Sequence, residues 1–123
     1  MNICDYYPDL ETFLVELKGV KVDYNEWNWK RFNVGGKPFC AFCNDGSAKP
    51  YIVVKGEKEF NDLMRSAYKG LIRPAPDMNK VYWSAITPDK DIPQEIVKKM
   101  CSRGYKVVFE KLPQNLRNKI LEE

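Results

Sequence analysis

The apolar positions of this chain fall into two rhythms. Leu10, Phe13, Leu14 and Leu17 stand at i, i+3, i+4 and i+7, one face of a helix. Pro8 is tolerated in its first turn, Asp9 and Glu11 suit its positive end, and Gly19 stops it. Phe60, Leu63, Met64 and Ala67 predict a second helix over Glu57–Lys69, closed by Gly70. Ile96, Val97, Met100 and Cys101 predict a third, started by Pro93, with Gly104 as its C-terminal cap. Tyr105, Val108, Phe109 and Leu112 repeat the helical spacing, yet Lys106-Val-Val-Phe109 favours a strand by propensity, so the residues alone leave both open. After Pro113 a last short helix turns Leu116, Ile120 and Leu121 inward.

Between these stripes the period drops to two. Trp29–Val34 reads as a strand, Gly35-Gly36 as a tight turn, and Pro38–Asn44 as the returning strand. Pro38 lacks an amide hydrogen, so it belongs at the strand's first position or on an edge. Asp45-Gly46 turns again into Tyr51–Lys55, with Ile52 and Val54 on one side and Tyr51 and Val53 on the other. Residues 20–28 read as an aromatic-rich link. Pro74 and Pro76 predict a stiff, exposed arm carrying Arg73, Ala75 and Asp77, feeding a strand over Met78–Ile86. These elements predict an α+β fold: an antiparallel sheet of four or five strands with helices packed on one face, in a single domain over residues 1–123.

Composition narrows the class. With 44% hydrophobic and 30% charged residues the chain is neither disordered nor a membrane protein, and no apolar run approaches the ~18 residues a bilayer needs. The N-terminal Met-Asn-Ile-Cys-Asp lacks a signal-peptide pattern, so a cytoplasmic location with reduced cysteines is expected. The net charge of +3 is unevenly spread. Residues 1–26 hold two lysines against six carboxylates, whereas residues 95–119 hold seven bases against two acids.

Candidate chemistry is sparse. Cys40-Ala-Phe-Cys43 is a C-x-x-C, but a zinc site needs two more ligands, and there is no histidine. Within a strand, positions three apart project to opposite faces, so the two sulfurs do not converge. Lacking histidine, the chain has no common base for an activated serine or cysteine. Carboxylate pairs such as Asp89 with Asp91 fit turns and helix starts. No metal, no cofactor and no enzymatic activity are expected.

Bases interleaved with aromatics give the one functional signal. Trp27, Trp29, Lys30, Arg31, Phe32 and Lys37 cluster around the glycine turn, and Arg73, Lys80, Tyr82 and Trp83 follow the prolines. Lysine and arginine neutralise phosphates, and exposed aromatics stack on bases. The competing reading puts at least two of the three tryptophans in core or hairpin packing. The G-x-x-x-x-G-K-[ST] spacing of a phosphate loop is missing.

Arg73-Pro74, Met78-Asn79-Lys80 and Trp83, followed by the Asp89–Asp91 turn and a proline-started helix, resemble the MmcQ/YjbR family. So do Trp29–Phe39 and Tyr105–Leu112 with Pro113 and Arg117; the resemblance spans roughly residues 10 to 121. The chain departs from the family at Asp77, where many members carry a histidine or another non-acidic residue. The resemblance implies a frataxin-like α/β sandwich, favours helix for Tyr105–Leu112, and implies DNA binding through a double wing of hairpin and loop. Carried onto this chain, Lys30, Arg31 and Lys37 would contact phosphates from the hairpin. Arg73 and Lys80 would do so from the arm, Asn79 would be a polar reader, and the basic third helix a second contact. The alternative is a protein–protein interaction module using the same arm and Trp83. A monomer is favoured, and no membrane partner is expected.

Overall fold

The computed structural model describes all residues, 1–123. Two helices, α1 (Ile3–Tyr6) and α2 (Leu10–Glu16), lead into strands β1 (Val20–Tyr24), β2 (Lys30–Val34), β3 (Lys37–Cys43) and β4 (Tyr51–Lys55). Helix α3 (Lys58–Ala67), strands β5 (Ile72–Pro74) and β6 (Trp83–Ile86), and helices α4 (Gln94–Glu110) and α5 (Gln114–Leu121) complete the chain. The strands form one antiparallel sheet in the order β1-β2-β3-β4-β6-β5.

The α+β class and the helix-on-one-face arrangement are as expected, but the sheet has six strands rather than four or five. The first extra strand, β1, falls in the expected link over residues 20–28. Its apolar residues Val22 and Tyr24 stay exposed, so the strand is held by backbone pairing with β2 and gives little burial signal. The second, β5, comes from the supposed arm. Ile72 is buried, Arg73 pairs across to Ala85, and Pro74 sits on the sheet's outer edge, where its missing amide hydrogen costs no ladder bond. Ala75 is fully buried and donates its N–H to the Trp83 carbonyl, 3.0 Å away, so the segment is sheet edge and not a free arm.

The strand expected over Met78–Ile86 is confined to Trp83–Ile86. Ahead of it the Asn79 side chain accepts the Val81 N–H at 3.0 Å and holds a turn. Pro38 is the second residue of β3, opposite the irregularity at Phe32/Asn33, where the ladder is interrupted. Gly35 and Gly36 have φ of 59° and 79°, as a two-residue hairpin turn requires.

On the helix side, 22 buried residues form the core, with Phe32, Val34, Ile52, Val54 and Ile86 from the sheet meeting Leu10, Leu14, Met100 and Ile120. Helix α4 continues to Glu110, so Tyr105–Leu112 is helical through residue 110, and Gly104 is no cap. Gly104 is buried where the helix crosses the sheet, its Cα facing the Lys55 carbonyl oxygen; any side chain there would overlap it. In α3 the expected stripe is also amended: Leu63 and Ala67 are exposed, and Asn61 is buried instead. The Asn61 amide donates to the carbonyls of Gly56 (3.1 Å) and Val81 (3.0 Å), tying the start of the helix to the turn before β6. In α5 Leu121 is exposed and Ile120 carries the burial.

Candidate functional site

The five expected phosphate contacts and the polar reader Asn79 are spread over several surfaces. Lys30 and Arg31 are neighbours on β2 and so point to opposite faces. Lys30 reaches the helix side and pairs with Glu11 at 2.8 Å; this partner holds its ammonium above the usual lysine range. Arg31 projects onto the open face and grips Asp23 through two bonds of 2.8 Å. That fork raises the Arg31 guanidinium and lowers the Asp23 carboxyl. Arg73 also reaches the open face, four strands away from Arg31, about 19 Å at normal strand spacing. It donates to the Thr87 hydroxyl at 2.7 Å. Asn79 is spent on its turn, and Lys80 is an exposed neighbour on the same turn. Lys30 and Arg31, each held by a carboxylate, are therefore not the free pair of phosphate contacts expected of a hairpin wing.

Lys37 is different. It stands at the glycine turn with no carboxylate in ion-pair range, and its charge is felt by Lys55, as is that of Lys111. Burial first, then these two neighbours, push the Lys55 ammonium below the usual lysine range. Three cations thus crowd the end of the sheet where β3 starts and β4 finishes. Two aromatics accompany them: the Lys55 ammonium lies 5.9 Å from the Trp83 ring centroid and the Lys111 ammonium 6.0 Å from that of Tyr82.

From Lys111 the cations continue along α4. Lys99, Arg103 and Lys106 are spaced i, i+4, i+7 on the side of the helix away from Val97, Met100, Cys101 and Val108. They border a groove of about 1380 Å³ between α4 and the start of α3. Six cations and four glutamates line it, and Arg103 covers the Phe60 ring at 4.1 Å. Lys98 is drawn to Glu95 and Lys58 to Asp62, whereas Lys99, Arg103, Lys106 and Lys111 have no carboxylate within ion-pair distance. The helix stripe is legible in the i, i+4, i+7 spacing, and alternation from Tyr51 and Val53 carries Lys55 to the open face.

The open face holds a second concavity. Beneath it Ala41, Val53 and Ala85 stand in direct cross-strand register, buried under Trp29, Tyr51, Met78 and Trp83. Trp27, Trp29, Tyr51 and Trp83 stand round it, and the volume is about 640 Å³. Trp27 and Trp29 are 5.5 Å apart between ring centroids, and Trp29 meets Tyr51 edge-on at 6.1 Å. All three tryptophans are on the open side of the sheet, away from the main core.

The two cysteines of the C-x-x-C diverge. Cys40 faces the helix-side core and Cys43 the open-face cluster, as strand alternation requires. Burial raises the Cys43 thiol to about 12 and the Cys40 thiol well above its usual value. No group of three or more histidine, cysteine or carboxylate side chains is placed to hold an ion. No helix is long and apolar enough to cross a membrane.

The fold is shared with solved proteins. A Deinococcus radiodurans protein with a DUF419 domain superposes with a TM-score of 0.83 at 20% identity, over 92% of this chain and 86% of that one. A Pseudomonas syringae protein superposes at 0.64 with 16% identity, over 87% and 98%. In sequence the chain has a weak similarity to YjbR proteins. It is 22% identical over 99 residues to the uncharacterized protein YjbR of Escherichia coli K12, covering 80% of this chain and 82% of that protein, and equally to the O157:H7 copy. No model of a known protein family matches the chain.

Proposed function

We propose that the protein binds nucleic acid, DNA in the first instance, through the phosphate backbone and without a catalytic step. One observation carries the reading. Lys37, Lys55, Lys111, Lys106, Arg103 and Lys99 run from the glycine hairpin along α4 with no ion-pair partner. Cations left unpaired beside one another repel. A row of phosphates relieves that repulsion and releases its own counterions. The strip replaces the hairpin-and-arm wing expected from sequence, keeping only Lys37 from it.

The test is a titration of labelled duplex by fluorescence anisotropy at several salt concentrations. Six phosphate contacts predict a slope of about −5 in log K against log salt, so affinity falls by about 10³ between ~50 and ~200 mM. The double variant Lys106→Ala/Lys111→Ala should flatten the slope by about two. An affinity indifferent to salt, or no binding at ~50 mM, sinks the reading.

A protein partner is the second reading, favoured by β1. This strand is an edge of the sheet, with Val22 and Tyr24 exposed. Edge strands accept an added strand from another chain, although Lys21 and Asp23 guard this one. Binding by that route should barely respond to salt.

A further inference from the structure

We propose that the trough on the open face of the sheet stacks unpaired bases of a single strand, which makes single-stranded nucleic acid the preferred ligand. The inference rests on the phosphate strip proposed above and adds what that strip cannot supply, a surface for bases.

The trough is shaped for flat groups. It lies over Ala41 and Val53, which are themselves covered by Trp29, Tyr51, Met78 and Trp83. Its rims are ring faces and edges. Trp27 is 66% exposed, which costs the folded protein buried apolar area it would gain if the indole were packed in the core. Sheets that present aromatic side chains beside cations are how several unrelated domains hold single-stranded bases, because every base has a face to stack whatever its sequence.

Charge favours the same ligand. Arg73 stands beside Ala85 at one side of the trough, while Arg31 at the other is already held by Asp23. Lys55 overlies Trp83 at the end nearest the strip. Asp77 is the one carboxylate lining the trough. The two surfaces also join through a dipeptide. Tyr82 borders the α4 groove under Lys111, and Trp83 borders the trough under Lys55. A backbone held along the strip can therefore turn its bases over this edge into the trough. A duplex cannot, since its bases are already paired and stacked.

The full chain should be titrated with a single-stranded thymidine oligomer and with a duplex of equal length, following anisotropy and tryptophan emission together. The single strand is expected to bind more tightly and to change the tryptophan emission, while the duplex leaves emission unchanged. Trp27→Ala, which removes an exposed side chain, should weaken single-strand binding about tenfold and leave duplex binding within about twofold. Equal affinity for both oligomers with unaltered emission would overturn the trough while leaving the phosphate strip intact, provided that Lys106→Ala/Lys111→Ala weakens both. Failure of either oligomer to bind would overturn the inference together with the reading beneath it.

Discussion

Adding one methyl group at Gly104 should lift α4 from the sheet. Glycine in the middle of a 17-residue helix ordinarily costs about 1 kcal/mol relative to alanine, so Gly104→Ala would be expected to stabilise an exposed helix. Here the added Cβ would meet the Lys55 carbonyl oxygen far inside the roughly 3.3 Å that an unbonded carbon and oxygen keep. It would also stand 3.2 Å from Val54 Cγ2 and 3.3 Å from the Phe39 carbonyl oxygen. Two of the three obstacles are backbone atoms of adjacent strands, β3 and β4, which cannot rotate away. Overpacking costs about 1–3 kcal/mol in general, and rigid obstacles put this site at or above the top of that range. Subtracting the gain in propensity leaves a net loss of about 2 kcal/mol, roughly 8 °C in melting temperature for a domain of this size. Thermal and urea unfolding followed by circular dichroism would measure it. A variant that melts at or above the parent temperature would refute the claim that close approach, and not capping, places glycine here. Because α4 carries Arg103 and Lys106, a displaced helix should also weaken polyanion binding without removing any charge.

Three further outcomes follow from the structure. Arg65→Met removes donors to the Ser84 hydroxyl (3.0 and 3.2 Å) and to the carbonyls of Lys80 (2.8 Å) and Trp83 (3.0 Å). It should cost about 2–3 kcal/mol in urea unfolding, and a loss within error would show that this tie is idle. The Asp23 carboxyl is held low by its bonds from Arg31 and Asn33, so the stability it contributes is present above about pH 4 and is lost as pH falls through its lowered value. The pair is solvent-exposed and worth less than about 1 kcal/mol. Unfolding of the parent and Asp23→Asn compared from neutral to acid pH should converge in acid, and parallel curves would contradict the assignment. Finally, a thiol reagent at mildly alkaline pH should modify Cys4 alone, since Cys40, Cys43 and Cys101 are buried. Reaction of a second thiol before denaturant is added would show that the sheet opens more readily than its packing implies.

The sequence by itself determined the elements whose signal is periodic. The stripes of α2 and α4, the Gly35-Gly36 hairpin, and the alternation of β3 and β4 were all legible, because burial on one face writes a period of 3.6 or 2 into the residues. The separation of Cys40 from Cys43 followed from the same alternation. Only the tertiary structure decided what depends on neighbours distant in the chain. β1 and β5 exist because β2 and β6 offer them backbone partners, and neither backbone pairing nor a three-residue edge leaves a hydrophobic rhythm. Gly104 looked like a stop because its reason lies across the core, at Lys55. Charge was the least legible property. Lys30 and Lys37 are equivalent in sequence, but folding sets a carboxylate from α2 beside one and two more lysines near the other. That difference in surroundings, invisible along the chain, moved the candidate interface from the hairpin and its proline segment to the strip that joins the end of the sheet to α4.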